Sequence, residues 1–549
     1  MLPHEDLKRE LAEATAKIVG SVRRKKLVVA GPGAGKTYLF KRLLKASSSG
    51  NEGATHLVVS FINALVNDLA KDLSELAKVF TFHGYCRYVL HRNAFLREGL
   101  SETFKVYPRL PTIIKADWAI LNTGIDPPEF VKQMRRAVED DTTRFYLRRS
   151  DFYDAVGFDD MVYRVYFQLL ERPESAERFD LILVDEYQDF NFAEVGLLEV
   201  LARKSPIVIA GDDDQVLYGS WRESSCDFIR SLYNSADFET CSLPFCMRCP
   251  EVVIQAFGDV VGRAVNRGLL KGRIPKTFRY YPPAKEADSV AHPKIIHIHT
   301  SVQKKGDSVN YFGRLVEQVV QGISVADIKE SHVNGYPTVL LIGGHHYLDQ
   351  VGPYLARHGY PVEERIGGDD EIRREDALRL LKDDASSNLG WRIALEVDRP
   401  AFFVENAAAW LASGMTLVSL IPPEYREAVL SQAANFEEPD NAEVSAATYD
   451  ESRPTIKLTS FEGAKGLSAQ YVFIVGVHED DLPRSVSKIR DVEVCKFLVA
   501  LTRTRKECYI LTTGRFGEKK TKPSVFINWI ADKRKVYRYV DKTFWAPKR

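Results

Sequence analysis

The sequence predicts an α/β protein with two parallel-sheet cores, each carrying an inserted, mainly helical segment. Three observations predict it. Short apolar runs alternate with helical patterns, as in βαβ units. Two of the runs end directly in turns of glycine or acidic residues, where parallel sheets present ligand-binding groups. The runs fall into two sets, and a long helix-patterned stretch splits each set. With 549 residues, 45% of them hydrophobic, the chain is long enough for several cores.

The first set is Lys26–Ala30, His56–Phe61, Leu181–Val184 and Pro206–Ala210. Its core is expected over residues 1–86 and 176–238, split by a helical segment at 87–175 that is rich in aromatics and arginine. The second set is Ile295–His299, Thr338–Ile342, Thr455–Thr459, Tyr471–Val475 and Tyr509–Thr512. Its core is expected over 239–383 and 454–549, with a short insertion at 384–453. The acidic stretch Glu437–Glu451, rich in Asn, Ala and Ser, reads as a linker.

The run Lys26–Ala30 leads into Gly31, Pro32, Gly33, Ala34, Gly35, Lys36 and Thr37, followed by the helix-like Tyr38–Lys45. Small residues let consecutive backbone N–H groups converge on phosphate oxygens at a helix N-terminus. Lys36 would reach the β and γ phosphates, and the Thr37 hydroxyl would face Mg²⁺. This is a Walker A loop in which Ala30 takes the place of the usual first glycine. The second set of strands has no such loop. Downstream, Leu181–Val184 closes on Asp185, Glu186, Tyr187, Gln188 and Asp189. Alone, that pentad is equally a buried strand ending in a solvated acidic turn. Beside a Walker A loop, Asp185 is the carboxylate a nucleotide-bound Mg²⁺ needs, and Glu186 can polarise a water.

Lys plus Arg equals Asp plus Glu at 75 each, so no global positive field advertises nucleic acid, and any such groove must be local. Seven scattered cysteines, an odd number, suit reduced thiols in a cytoplasmic protein. Cys246 and Cys249 have metal-ligand spacing but no second pair nearby, and read as packing residues. His292, His297 and His299 read as strand and loop residues rather than ligands. Met1–Ile18 lacks the apolar centre of a signal peptide, and no run of about 18 apolar residues occurs, so no membrane partner is expected.

Further motifs follow in order: GDDDQVLY from Gly211 to Tyr218, LPFCMRCP from Leu243 to Pro250, TSFEGAKGL from Thr459 to Leu467, and FLVALTRTRK from Phe497 to Lys506. Upstream stand SFIN from Ser60 to Asn63 and the segment Phe80–Tyr85. With the Walker residues, these resemble, in order, the motifs of superfamily 1A helicases of the UvrD/Rep/PcrA type, covering the chain from residue 30 to about 512.

That resemblance implies two RecA-like parallel-sheet motor cores, with the insertions in the places of the family's 1B and 2B subdomains. It implies ATP with Mg²⁺, single-stranded or tailed double-stranded DNA as partner, and 3′ to 5′ movement. Residue by residue, it nominates Gln215 as γ-phosphate sensor, Arg248 as a γ-phosphate contact, Lys465 and Gly466 as further nucleotide contacts, and Arg503 as an arginine finger. Such a guanidinium neutralises transition-state charge. Phe61, Asn63, His83, Tyr218 and Trp221 would line the single strand, where a stacked base is worth about 1–3 kcal/mol. Arg505 reads as a cation at a helix C-terminus.

The chain departs from the family pattern at Met247, where an aromatic that stacks on adenine is usual, and at Glu462 and Ser468, which replace His and Glu. Ser468 is a candidate ribose-side residue. Residues 1–30 contain no glutamine to read adenine. Two other readings stay open: a DNA-sensing ATPase that regulates a partner nuclease without unwinding, as in some anti-phage systems, and an RNA-acting motor, since nothing in the sequence discriminates a 2′-hydroxyl. DNA repair and antiviral defence are the two settings considered.

Overall fold

The computed structural model describes residues 4–49, 51, 53–60, 73–304, 309–364, 371–437 and 453–544. The first sheet has six strands: β1 (Lys25–Ala30), β2 (His56–Ser60), β3 (Lys78–Thr81), β4 (Leu181–Val184), β5 (Ile207–Gly211) and β6 (Glu239–Leu243). They are all parallel, in the order β3-β2-β4-β5-β1-β6. Next to the edge strand, Val28 of β1 pairs with Ala210 on one side and Cys241 on the other. Leu27, Val28, Val29 and Ala30 are buried, as are all of β2, β4 and β5, because helices cover both faces. Strands β4, β5 and β1 are neighbours, so the turns after them meet at one edge of the sheet.

The second sheet has seven strands: β7 (Ile295–Thr300), β8 (Val339–Gly343), β9 (Val362–Glu364), β10 (Ile456–Thr459), β11 (Ala469–Val475), β12 (Thr504–Thr513) and β13 (Lys535–Val540). It too is wholly parallel, ordered β9-β10-β8-β11-β12-β7-β13. The fold is therefore α/β with two RecA-like parallel-sheet cores.

Two expected boundaries shift. Strand β6 pairs in parallel with β1, so the chain leaves the first sheet after Leu243 rather than at residue 239. The reason is compositional: ETCSL is an edge strand with no continuous apolar run, as are the half-buried β3 and the mostly exposed β13. Helix Arg374–Asp383 packs on helix Asn388–Asp398, so the second helical unit begins ahead of the expected residue 384.

The two insertions share one hydrophobic core. Tyr107, Leu110, Ile114 and Phe130 from the first cluster with Leu381, Trp391, Ile393 and Phe403 from the second. At its centre the buried carboxylate of Asp117 accepts from Arg149 Nε at 2.9 Å, Arg392 Nε at 2.9 Å and the Tyr153 hydroxyl at 2.5 Å. Asp376 adds a second cross-link, accepting from Arg109 at 2.7 Å and from Tyr107 at 3.2 Å. The first insertion also reaches the core of the first sheet through Val162, Val165 and Leu169.

All seven cysteines are free and six are buried, in keeping with packing roles. Among the described residues no helix is long and apolar enough to cross a membrane.

Candidate functional site

A cavity of about 300 Å³ lies at the C-terminal ends of β1, β4 and β5, facing the second sheet. The first core lines it with residues 32–37, Asp185, Glu186 and Gln215, and the opposite wall is Met247, Arg248, Lys465, Gly466, Arg503 and Arg505. Residues widely separated in sequence, including most of the expected nucleotide contacts, thus meet at one cleft. Gly31 sits just outside, under the ring of Phe278.

The loop after β1 needs its glycines for two reasons. Gly33 and Gly35 have φ of 68° and 85°, the left-handed region that side chains disfavour. A Cβ on Gly33 would also lie 2.5 Å from Arg248 Cβ, and one on Gly35 2.4 Å from Met247 Cε. The Met247 N–H donates to the Gly33 carbonyl at 2.9 Å, so the segment carrying Arg248 is seated directly on the phosphate loop.

Lys36 heads the helix Lys36–Ser48 and turns its ammonium onto the acidic pair, bonding Glu186 and lying 3.2 Å from Asp185 Oδ1. Burial would lower its pKa, but the two carboxylates outweigh burial and raise it. Burial likewise pushes Glu186 up, and Lys36 and Lys465 pull it well below the ordinary range, so it is firmly ionised. Burial raises its neighbour Asp185. Glu186 is held at φ 54°, an uncommon conformation for a non-glycine residue and one that clusters at functional sites. Gln188 fixes it by donating from its side-chain amide to Oε2 at 2.6 Å, while the Gln188 side-chain oxygen Oε1 accepts from the Asp212 N–H at 3.0 Å.

From the other side, Lys465 bonds Asp189, donates to the Gln215 carbonyl at 2.9 Å and lies 3.2 Å from Glu186 Oε2. Burial lifts the Asp189 carboxyl to about 6 against the pull of Lys465. Arg503 is buried, donating from Nη2 to Gln215 Oε1 at 3.3 Å and from Nε to the Val499 carbonyl at 2.9 Å. Burial, and then the nearby Arg248, push its pKa down to about 9. Arg505 is lowered for the same two reasons. Three guanidiniums crowd one wall, with Arg503 and Arg505 under-compensated, an arrangement that a polyphosphate would relieve. The Asp185 carboxylate and Thr37 hydroxyl line the same cavity, and this hard-oxygen donor pair suits Mg²⁺.

Other expected residues stand elsewhere. Tyr218 is half-buried, and its hydroxyl donates to the Glu462 carbonyl at 2.8 Å, so it braces one core against the other. The Glu462 side chain pairs with Lys496. His83 lies 5.1 Å from the ring of Phe158, with burial pressing its pKa down to about 4, so the imidazole is neutral. Phe61 and Asn63 lie outside the described residues, and so does the side chain of Trp221. The Ser468 hydroxyl accepts from Arg505 Nε at 2.9 Å. Arg505 itself is no helix-terminal cation: the helix ends at Leu501, and Arg505 lies on β12 against the cavity.

The family model of the UvrD/REP helicase N-terminal domain matches residues 11–141 and 119–237. The ATP-dependent DNA helicase UvrD1 of Mycobacterium leprae (strain TN) is 27% identical over 302 residues, 44% of this chain and 38% of that protein. UvrD1 of Mycobacterium tuberculosis (strain ATCC 25618 / H37Rv) is 28% identical over 294 residues, 44% of this chain and 38% of its own length. The ATP-dependent DNA helicase PcrA of Staphylococcus aureus (strain NCTC 8325 / PS 47) is 26% identical over 276 residues, 43% of this chain and 37% of that protein. The chain spans less than two fifths of the length of the curated relatives it matches. Residues 11–237 match the UvrD/REP helicase N-terminal domain, and in motif order, fold and sequence the chain is similar to helicases of the UvrD/Rep/PcrA type.

Proposed function

We propose that this protein is an ATP-driven motor on single-stranded DNA that displaces strands from tailed duplexes in the 3′ to 5′ direction. The observation that carries the reading is the shared cavity, with a phosphate loop and paired carboxylates on one wall and Arg248 and Arg503 on the other. A triphosphate there would draw the two walls together, and its loss would let them part.

The residues divide the work. Backbone N–H groups of 33–37 and the Lys36 ammonium hold the β and γ phosphates, while Arg248 and Arg503 meet the γ end. Mg²⁺, held by Thr37 and Asp185, would supply neutralisation of the β and γ oxygens. Lys36 shifting from Glu186 to phosphate would free that carboxylate to accept a proton from the attacking water. Gln215, already against Arg503, would report the γ phosphate to the second core. His83, Tyr218, Trp221, Phe61 and Asn63 are the proposed lining of the strand.

The test is ATP turnover with and without a single-stranded oligonucleotide, followed by displacement of 3′- and 5′-tailed duplexes. Glu186→Gln should abolish hydrolysis and keep ATP binding; undiminished turnover in that variant would defeat the assignment. A second reading, a DNA-sensing ATPase that controls a partner nuclease, is favoured by one observation: the second insertion is packed into the core of the first rather than standing apart. DNA-stimulated hydrolysis with no strand displacement from either duplex would select it.

A further inference from the structure

The segment between helices Glu251–Asn266 and Pro282–Ala291 is a strap across both cores. Leu270 is buried in the core of the second sheet and Ile274 in that of the first. Phe278 covers Gly31 of the phosphate loop, where a Cβ would fall 2.6 Å from its ring, and Arg279 pairs with Glu10 of the first helix, His4–Gly20. Between these anchors the side chain of Lys276 is 5% exposed, its ammonium bonded to Asp212, 2.6 Å from Asp213 and 3.0 Å from Asp214. Oxygens of these three acids lie within 4.8 Å of one another, a spacing that would suit a cation, and the Lys276 ammonium fills that role.

The three acids are not held alike. Asp214 has the fork of Arg273, at 2.7 to 3.0 Å, and Asp213 has Arg230 Nε at 3.0 Å and the Ile274 N–H at 3.0 Å. Among the described residues the cation on Asp212 is Lys276. Asp212 in turn orients the amide of Gln215. Its Oδ2 accepts from Gln215 Nε2 at 2.9 Å, which turns Gln215 Oε1 to Arg503 Nη2 at 3.3 Å. A carboxylate only accepts and a guanidinium only donates, so the two together admit a single orientation of that amide. The branch from Asp212 to Gln188 and Glu186 leaves through the Asp212 backbone N–H and does not depend on the carboxylate.

We propose that Lys276 is a positioning residue for the hydrolytic step: by fixing the Asp212 carboxylate it locks the Gln215 amide, and so sets Arg503 relative to the γ phosphate. The inference rests on the ATP-hydrolysing reading above. It assigns the strap a part in the timing of hydrolysis, because any shift of Leu270–Tyr281 against the first core moves Lys276 relative to Asp212.

Net charge must be separated from the hold on Asp212. Lys276→Met combined with Asp213→Asn removes one positive and one negative charge from the cluster but leaves Asp212 without its cation. With a single-stranded oligonucleotide present, this variant should lose at least tenfold in kcat for ATP, with KM within about threefold of the parent because the phosphate loop is untouched, and with its melting temperature little changed. Lys276→Arg, which keeps the cation, should retain at least a third of the parental kcat. Adding Gln215→Ala to the charge-balanced variant should slow it no further than Gln215→Ala slows the parent. A charge-balanced variant within twofold of parental kcat, losses that multiply with Gln215→Ala, or a Lys276→Arg variant losing tenfold would each overturn the proposal. A parent that hydrolyses no ATP defeats the functional reading and this inference with it, an outcome distinct from an active parent with an indifferent variant.

Discussion

The ammonium of Lys465, carried by the second core, is bonded to the carboxylate of Asp189 in the first, and both groups are buried. The same ammonium lies 3.2 Å from Glu186 Oε2. One lysine therefore latches the cores together and lies against the carboxylate proposed to activate water.

Lys465→Met should cost about 3–5 kcal/mol, the usual loss when one partner of a buried pair is removed and the other charge is left behind. Among the described residues Asp189 Oδ1 already has no bonding partner, which makes the stranded carboxylate harder to compensate. Adding Asp189→Asn should recover most of the loss. Urea unfolding of the two variants checks this; equal midpoints for single and double variants would contradict it.

The two phosphate-loop glycines should respond differently to alanine. Gly33→Ala meets Arg248 Cβ, an atom fixed to the backbone, and Gly35→Ala meets the mobile end of Met247. Both should weaken nucleotide binding at least tenfold, equivalent to about 1.4 kcal/mol or more. Met247→Ala should restore part of the binding to Gly35→Ala, whose remaining penalty is its left-handed backbone, and none to Gly33→Ala. Titration with a fluorescent ATP analogue reads the difference.

Acid should weaken the second core through His478. Its Nε2 accepts from the Thr513 N–H at 2.8 Å, and its Nδ1 meets the Tyr347 hydroxyl at 2.7 Å, which donates to Asp481 at 2.6 Å. That pattern requires the neutral ring, and burial presses the pKa from 6.5 to about 3. The unfolded chain then binds the proton more readily, so the contribution is complete above pH 6.5 and is lost as pH falls toward 3. The loss by pH 4 is on the order of 3 kcal/mol. His478→Gln should flatten the dependence of stability on pH across this window; an unchanged slope in denaturant titrations would refute the assignment.

Base selectivity should be weak. Beside the phosphate loop, a second cavity of about 430 Å³ is lined by Leu11, Ala12, Thr15, Tyr38, Leu39 and Met247, among others, with no side-chain amide to read a base edge. The Thr15 hydroxyl is already bonded to the Leu11 carbonyl at 2.8 Å. GTP should be turned over with kcat/KM within about tenfold of ATP, less than 1.4 kcal/mol of discrimination. A hundredfold preference for ATP in a steady-state comparison would show that the edge is read.

The joint between the insertions should be asymmetric to mutation. Asp117→Ala removes the carboxylate that Arg149 and Arg392 share, leaving Arg392 only Glu396 among the described residues, whereas Arg392→Met leaves Asp117 its bonds to Arg149 and Tyr153. Asp117→Ala should be the more destabilising, with the single loss from Arg392→Met about 3 kcal/mol. Hydrogen exchange in helices Leu110–Leu121 and Asn388–Asp398 should rise together in both variants.

The cores were legible because buried central strands leave continuous apolar runs, as at Leu181–Val184, and because glycine and acid turns directly follow two of them. Edge strands such as Glu239–Leu243 and Lys535–Val540 carry mixed residues and leave no such trace. The candidate site was readable wherever a motif keeps its spacing, as with Lys36, Asp185, Glu186 and Gln215. Arg505 was misread because its meaning depends on where the preceding helix stops. Lys276 was invisible: nothing near it in sequence indicates that it will meet three aspartates some sixty positions earlier.

The shared core of the two insertions divides the molecule along a line that the chain order does not follow. The second insertion is encoded within the second core but is anchored, through Asp376 and Arg392, to the first insertion, which itself packs on the first sheet. The first core and both insertions thus form one packed body, and the second sheet is joined to it by three passages of chain, one after Leu243 and one on either side of the second insertion. In the proposed motor, a stroke at the nucleotide cleft would rock the second sheet beneath a canopy made by both insertions together.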